Sequence, residues 1–179
     1  MKKQYEHSGR FLSFVRGGLF AAIAGSNGIV HAQADLDPQS TAVLDPPDAV
    51  AMMSVGDGTT CAALVDGRAK CWGQGGFSAV GDDELPGDAP FIAVGGPVQE
   101  VHTNGRQTFA LLHGGAVRAW GSNDAGQLGL GHHGTPTQYP ADVELGGVAI
   151  DLAVGDGFAC SLLDGAVVRC WGANDVGQL

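Results

Sequence analysis

Cys160-Ser161-Leu162-Leu163-Asp164-Gly165-Ala166-Val167-Val168-Arg169-Cys170-Trp171-Gly172-Ala173-Asn174-Asp175-Val176-Gly177-Gln178-Leu179 decides the fold. Phe158 to Leu163 reads as one strand and Val167 to Trp171 as its return. Asp164-Gly165 between them is a hairpin signal. Just upstream, Ile150, Leu152 and Val154 alternate with Asp151 and Ala153. That period of two describes a half-buried strand with the three apolar side chains on one face. The unit is therefore a short antiparallel meander that ends in a polar, glycine-containing loop.

The unit recurs. Trp-Gly sets the register at Trp72-Gly73, Trp120-Gly121 and Trp171-Gly172, spaced 48 and 51 residues apart. Val55-Gly56-Asp57-Gly58 precedes Trp72 by the same 17 residues that separate Val154-Gly155-Asp156-Gly157 from Trp171. After the tryptophan, Gly121-Ser122-Asn123-Asp124-Ala125-Gly126-Gln127-Leu128 matches Gly172 to Leu179 at six of eight places. The turns fall at Asp66-Gly67, Gly114-Gly115 and Asp164-Gly165, and fourth strands are expected around Phe91–Val94 and Tyr139–Leu145. Three or four strands per repeat of about 50 residues describe a β-propeller blade. A β-solenoid is the alternative, but its coils are shorter. The expected division is an export signal over 1–34, a Pro/Asp-rich linker over 35–48, and repeats over 49–97, 98–147 and 148–179.

Cys61, Cys71, Cys160 and Cys170 form two pairs, each spaced by 10 residues and each bracketing a predicted hairpin. A three-residue loop sets the members of each pair opposite one another, at Cα separations of about 4.5 or 5.5 Å, within reach of a disulfide. The middle repeat has Phe109 and Ala119 at these positions, so both cysteines are lost together. Inert thiols and a metal site are the alternatives. A zinc site lacks the close ligand knuckle and needs further ligands.

The stretch from Cys160 to Leu179, with Phe109 to Leu112 and Ala119 to Gly129, resembles the repeat of the regulator of chromosome condensation family. The cysteine-flanked form is similar to repeats of secreted bacterial members. The resemblance covers about residues 50–179 and implies a seven-bladed propeller of four-stranded blades. About three blades are present in this all-β chain, the last incomplete. The first is degenerate, since Gly73-Gln74-Gly75-Gly76-Phe77-Ser78 replaces the Asn and Gln-Leu of the motif. The third stops at Leu179 where the second continues with Gly129, which implies a truncated frame or a gene fragment. Open blade faces then favour oligomerisation. The family's nucleotide-exchange activity is not implied, because no exchange residue maps here.

Composition bounds the partners. Glycine accounts for 30 of 179 residues, more than twice the ordinary ~7 %. The first 34 residues carry a net charge of +3 and the remainder −13, within an overall −10. Such a surface repels phosphate backbones and anionic membranes, so neither nucleic acid nor membrane is an expected partner of the mature chain. At the N-terminus, a basic segment precedes Gly17 to Ala24, and Ala32-Gln33-Ala34 follows. This is the layout of a secretory signal, with cleavage after Ala34 or alternatively Ala32. An uncleaved helix is the rival reading. The expected location is periplasmic, extracellular or the cell surface, an oxidising setting that suits disulfides.

Candidate chemistry is sparse. Trp72, Trp120 and Trp171 are expected to fill the space between blades, with ligand stacking as the alternative. Asn123 and Asn174 suit turns at positive φ. Gln127 and Gln178 are expected to bond loop backbone. Gly126, Leu128, Gly177 and Leu179 complete the motif. His132-His133 reads as solvated loop. Asp57 and Asp156 lack the spaced oxygens of a calcium loop. Neither Asp82-Asp83-Glu84 nor Asp142 with Glu144 has a fixed separation for glycoside hydrolysis. Ser40, Ser54 and Ser78 lie in no nucleophile elbow, and phosphate and dinucleotide fingerprints are missing. The expectation is an exported, non-catalytic module without cofactor. It would bind a protein or glycan through the loops Phe77–Pro90 and Gly131–Pro140. A hydrolase using loop carboxylates and an exchange factor are the alternatives.

Overall fold

The computed structural model describes residues 6–7, 10–11, 49–73 and 89–179. The cleavage site at Ala32 or Ala34, the linker 35–48, the cluster Asp82-Asp83-Glu84 and most of the loop from Phe77 lie outside those residues. In the N-terminal segment, β1 (Glu6–His7) pairs antiparallel with β2 (Arg10–Phe11).

The rest is three antiparallel sheets in chain order. The first holds β3 (Val50–Gly56), β4 (Thr59–Leu64) and β5 (Ala69–Gly73). The second holds β6 (Val98–Thr103), β7 (Gln107–Leu112), β8 (Val117–Gly121) and β9 (Thr137–Val143). The third holds β10 (Ala149–Val154), β11 (Phe158–Leu163) and β12 (Val167–Gly172). The fourth strand expected at Tyr139–Leu145 is β9. Its counterpart at Phe91–Val94 contracts to a single bridge between Phe91 and Lys70. Phe91 is held there by cations, with Arg68 Cζ 3.8 Å and Lys70 Nζ 4.6 Å from its ring centroid.

The sheets stack face against face. Cys61, Ala63, Ala69 and Cys71 on the back of the first sheet share one buried cluster with Val98, Val101, Ala110, Leu112 and Trp120 on the front of the second. Phe109, Leu111, Val117 and Ala119 on the back of the second share another with Ala149, Leu152, Leu163 and Trp171 of the third. Phe109 meets Trp171 edge to face, centroids 6.0 Å apart, the geometry that the ring quadrupoles favour. The middle repeat thus has an aromatic where its neighbours have a cysteine.

The first strand of each sheet carries a bulge that the alternating pattern conceals. Register shifts occur between Val50 and Met52, Val98 and Glu100, and Ala149 and Asp151. One extra residue flips the side chains beyond it to the other face. Ile150, expected to share a face with Leu152 and Val154, is therefore 50 % exposed, and Ala149 is buried in its place.

The hairpins bring the cysteines together. Cys61 is the register partner of Cys71, and Cys160 of Cys170. Both pairs form disulfides, with Cα atoms 4.0 Å apart. At the turns, Gly67, Gly115 and Ala166 are equivalent by repeat spacing and all have positive φ, at 85°, 84° and 63°. The third turn is therefore offset by one residue from its Asp-Gly signal, and a Cβ-bearing residue sits where the others have glycine. That conformation costs a non-glycine residue about 1–2 kcal/mol.

Two outcomes follow for urea denaturation. Ala166→Gly raises stability by about 0.5–1 kcal/mol, while Gly115→Ala lowers it by about 2 kcal/mol or more, because its new Cβ would lie 2.3 Å from Val148 Cγ1. Replacing Cys160 and Cys170 together by alanine lowers stability by about 2–3 kcal/mol, the loop-closure value for so short a ring. The same exchange at Cys61 and Cys71 costs more, because both side chains are fully buried.

Candidate binding face

One end of the stack collects the turns that join first to second strands and the loops that follow Trp120-Gly121 and Trp171-Gly172. The glycine there has no alternative. At Gly73, Gly121 and Gly172 an added Cβ would lie 2.2–2.4 Å from the carbonyl oxygens of Gly58, Arg106 and Gly157. All three also have φ between 108° and 117°. Trp-Gly therefore marks where the third strand passes under the first turn of its own sheet.

Beyond Gly121 the loop is built around a buried amide. Asn123 Nδ2 donates to the His132 carbonyl at 3.0 Å, and Leu128 N–H donates to Asn123 Oδ1 at 3.2 Å. The Asn123 carbonyl also accepts from the N–H of Gly126 and of Gly134. Gln127 Oε1 accepts from Ala125 N–H at 2.8 Å, and its Nε2 donates to Ser122 Oγ at 3.2 Å. The third repeat forms the same bonds: Leu179 N–H to Asn174 Oδ1 and Val176 N–H to Gln178 Oε1. Neither asparagine takes a positive φ, contrary to the turn reading. Gly126 and Gly177 do so instead, at 75° and 78°. The asparagine acts through its side chain, which replaces backbone pairing that the loop lacks.

The loop also joins neighbouring sheets. Trp171 Nε1 donates to the Gln127 carbonyl at 3.0 Å. Trp120 Nε1 is buried without an acceptor. Trp72 is half-buried. Asn104 Nδ2 and Gln107 Nε2 both donate to the Gly155 carbonyl, at 3.0 and 2.9 Å. The repeat pattern did not single out Gln107, because its equivalents are Thr59 and Phe158.

While Asn123, Gln127 and Leu128 are buried, residues 131–136 are all exposed and Tyr139 is 76 % exposed. This is a rigidly rooted loop with His132, His133 and Tyr139 toward solvent, the arrangement that places binding groups on a fixed scaffold. His132 Nδ1 lies 3.3 Å from Asn123 Nδ2. Among the described residues no group of three or more metal-ligating side chains occurs, and no helix is long and apolar enough to cross a membrane.

At the opposite end, a cavity of about 270 Å³ is lined by Gly115, Asp142, Glu144 and Gly147. Asp142 is committed to Arg118, whose Nη1 lies 2.6 Å from Oδ2. The carboxylate pair is thus half-occupied by an ion pair that ties β8 to β9. Asp66, at the first hairpin, accepts from the backbone N–H of Arg68, which holds its carboxyl below the ordinary carboxylate range.

Comparison with known proteins places this geometry. Two models described as the regulator of chromosome condensation (RCC1) repeat match residues 114–162 and 149–178. The chain is 31 % identical over 137 residues to the probable E3 ubiquitin-protein ligase HERC3 of Homo sapiens, covering 73 % of this chain and 13 % of that protein. To HERC6 of Homo sapiens, also a probable E3 ubiquitin-protein ligase, it is 28 % identical over 177 residues, covering 92 % and 17 %. The chain thus spans less than a fifth of these relatives. Its fold is shared by yeast RCC1 (Prp20) in complex with Kap60, with TM-score 0.61 and 19 % identity over 70 % of this chain and 30 % of that one. Human WBSCR16 gives 0.58 and 21 % over 69 % and 33 %. The three stacked sheets are blades of a β-propeller, and residues 114–178 are repeats of the regulator of chromosome condensation family.

Proposed function

We propose that this chain is an exported, non-catalytic propeller module that binds a protein partner through the loop following its second Trp-Gly. The carrying observation is the contrast within that loop: a buried amide network at its root and an exposed run from residue 131 to 136. Order at the root lowers the entropic cost of binding, and Tyr139 supplies rigid amphipathic contact area. The acidic surface favours a partner with a basic face. Related propellers supply precedent: the yeast protein was solved with Kap60, and its binding to Gsp1p and histones has been characterised. A glycan partner is the competing reading for the same loop.

Export is supported by the two disulfides, which persist in oxidising compartments. It is also supported by the basic-apolar-Ala-x-Ala order of the first 34 residues. N-terminal sequencing of the exported protein is expected to begin at Asp35, or at Gln33. Retention in the cytosol with Met1 intact and four free thiols overturns export.

For binding, a photo-crosslinking residue in place of Tyr139 is expected to capture one extracellular protein reproducibly. The same probe at Val65, which is exposed at the opposite end, captures none. Equal labelling at both positions, or glycan-array binding abolished by Tyr139→Ala, overturns the protein-binding assignment.

A further inference from the structure

Asn123 seats the exposed tip of the loop after the second Trp-Gly. Its Oδ1 accepts from Leu128 N–H at 3.2 Å, and its Nδ2 donates to the His132 carbonyl at 3.0 Å. Those two bonds fix the amide's orientation, since its oxygen faces a donor and its nitrogen an acceptor. Its backbone carbonyl accepts from Gly134 N–H at 2.7 Å. His132 and His133 are thus bracketed by bonds to one fully buried residue. Nothing lies within 4 Å of an added Cβ at Gly131 or Gly134, so hydrogen bonds rather than packing seat the two ends of the tip.

That orientation constrains the His132 ring. Its Nδ1 lies 3.3 Å from Asn123 Nδ2, a nitrogen that offers only hydrogens. Nδ1 therefore presents its lone pair, and the ring proton sits on Nε2. A second proton, on Nδ1, would set N–H against N–H. Protonation of His132 and this contact exclude one another: the neutral imidazole makes the contact, and it is lost as pH falls. Among the described residues no carboxylate forms an ion pair with the His132 ring. The other titratable groups about the tip are His133, Tyr139, and Asp124 in the turn beneath, whose Oδ2 accepts from Ser122 Oγ at 3.0 Å.

Between Asp124 and Asp142 the chain carries no Asp, Glu, Lys or Arg. From about pH 8 to about pH 5 the charge of this stretch therefore depends on its two histidines. We propose, resting on the binding role inferred above for this loop, that His132 makes its binding pH-dependent. The neutral imidazole, bonded to Asn123 through Nδ1, is the state that binds; protonation loosens the tip and weakens the hold on the partner. The second effect of acid has the same sign, because positive charge gained by the loop repels a partner with a basic face. The expected size is about two- to tenfold, the net worth of one hydrogen bond.

The test uses the full chain, oxidised, between about pH 8 and about pH 5. At the alkaline end, imidazole nitrogen NMR is expected to show His132 with Nδ1 bare and Nε2 protonated. On acidification, hydrogen-exchange protection at the amides of Leu128 and Gly134 is expected to fall by about two- to tenfold. His132→Asn, whose uncharged Oδ1 takes the place of Nδ1, keeps the alkaline protection throughout. His132→Ala has the lower protection throughout, and His133→Asn follows the parent profile. An Nδ1–H tautomer at the alkaline end, protection that does not change in the parent, or a His132→Asn profile that follows the parent overturns the proposal. Crosslinking from position 139 is expected to weaken in acid by the same factor in the parent and to persist in His132→Asn. Capture that ignores pH while protection falls overturns the control of binding. Capture absent at every pH, with the NMR and exchange results as expected, counts against the loop as a binding site and leaves the His132 switch standing.

Discussion

A blade of this type cannot bury both of its faces by itself. Each sheet is three or four short strands thick, and its two faces are both apolar. The structure resolves this by giving every blade a tryptophan on its front and a flat, dense back. The tryptophan of one blade covers the central pair of the blade before it. Where that pair is a cystine, the surface is compact and rigid. Where it is Phe109 with Ala119, an aromatic edge meets the indole instead. The two solutions share a junction because both fill the same space without polar atoms.

The repeat and its strands were legible because they depend on local chemistry. Trp-Gly fixes a register, glycine marks each hairpin, and cysteines ten residues apart straddle a two-stranded turn. What stayed hidden depends on contacts between distant residues. The bulge at Ala149 is invisible to an alternating count, so Ile150 was assigned the wrong face. Asn123 was read as a turn former because asparagine tolerates left-handed backbone, but Gly126 already fills that need. Its real partners, His132 and Leu128, become neighbours only when the loop closes. Gln107 reaches across to Gly155 from a position where the other repeats have threonine and phenylalanine, so no pattern could mark it.

Polar groups at the blade junctions are few and specific. Trp171 has the Gln127 carbonyl as acceptor because the preceding blade carries an intact motif loop. Trp120 follows the degenerate blade and has no such bond. The indole is therefore kept for its volume, and the hydrogen bond is an addition where the loop permits it. Within the second blade, Arg118 holds β9 through Asp142.

The distance from the bulged residue to the tryptophan is 22 in every copy: Val50 to Trp72, Val98 to Trp120 and Ala149 to Trp171. All variation in repeat length falls after the tryptophan, outside the three strands that make the junctions. The chain is thus divided into a part of constant length and a part whose length differs between copies. Duplication and drift can enlarge, shorten or diversify the post-tryptophan segment of any one copy while the stacking pitch stays constant, so new surface arises on a single rim without any change to the stack beneath it.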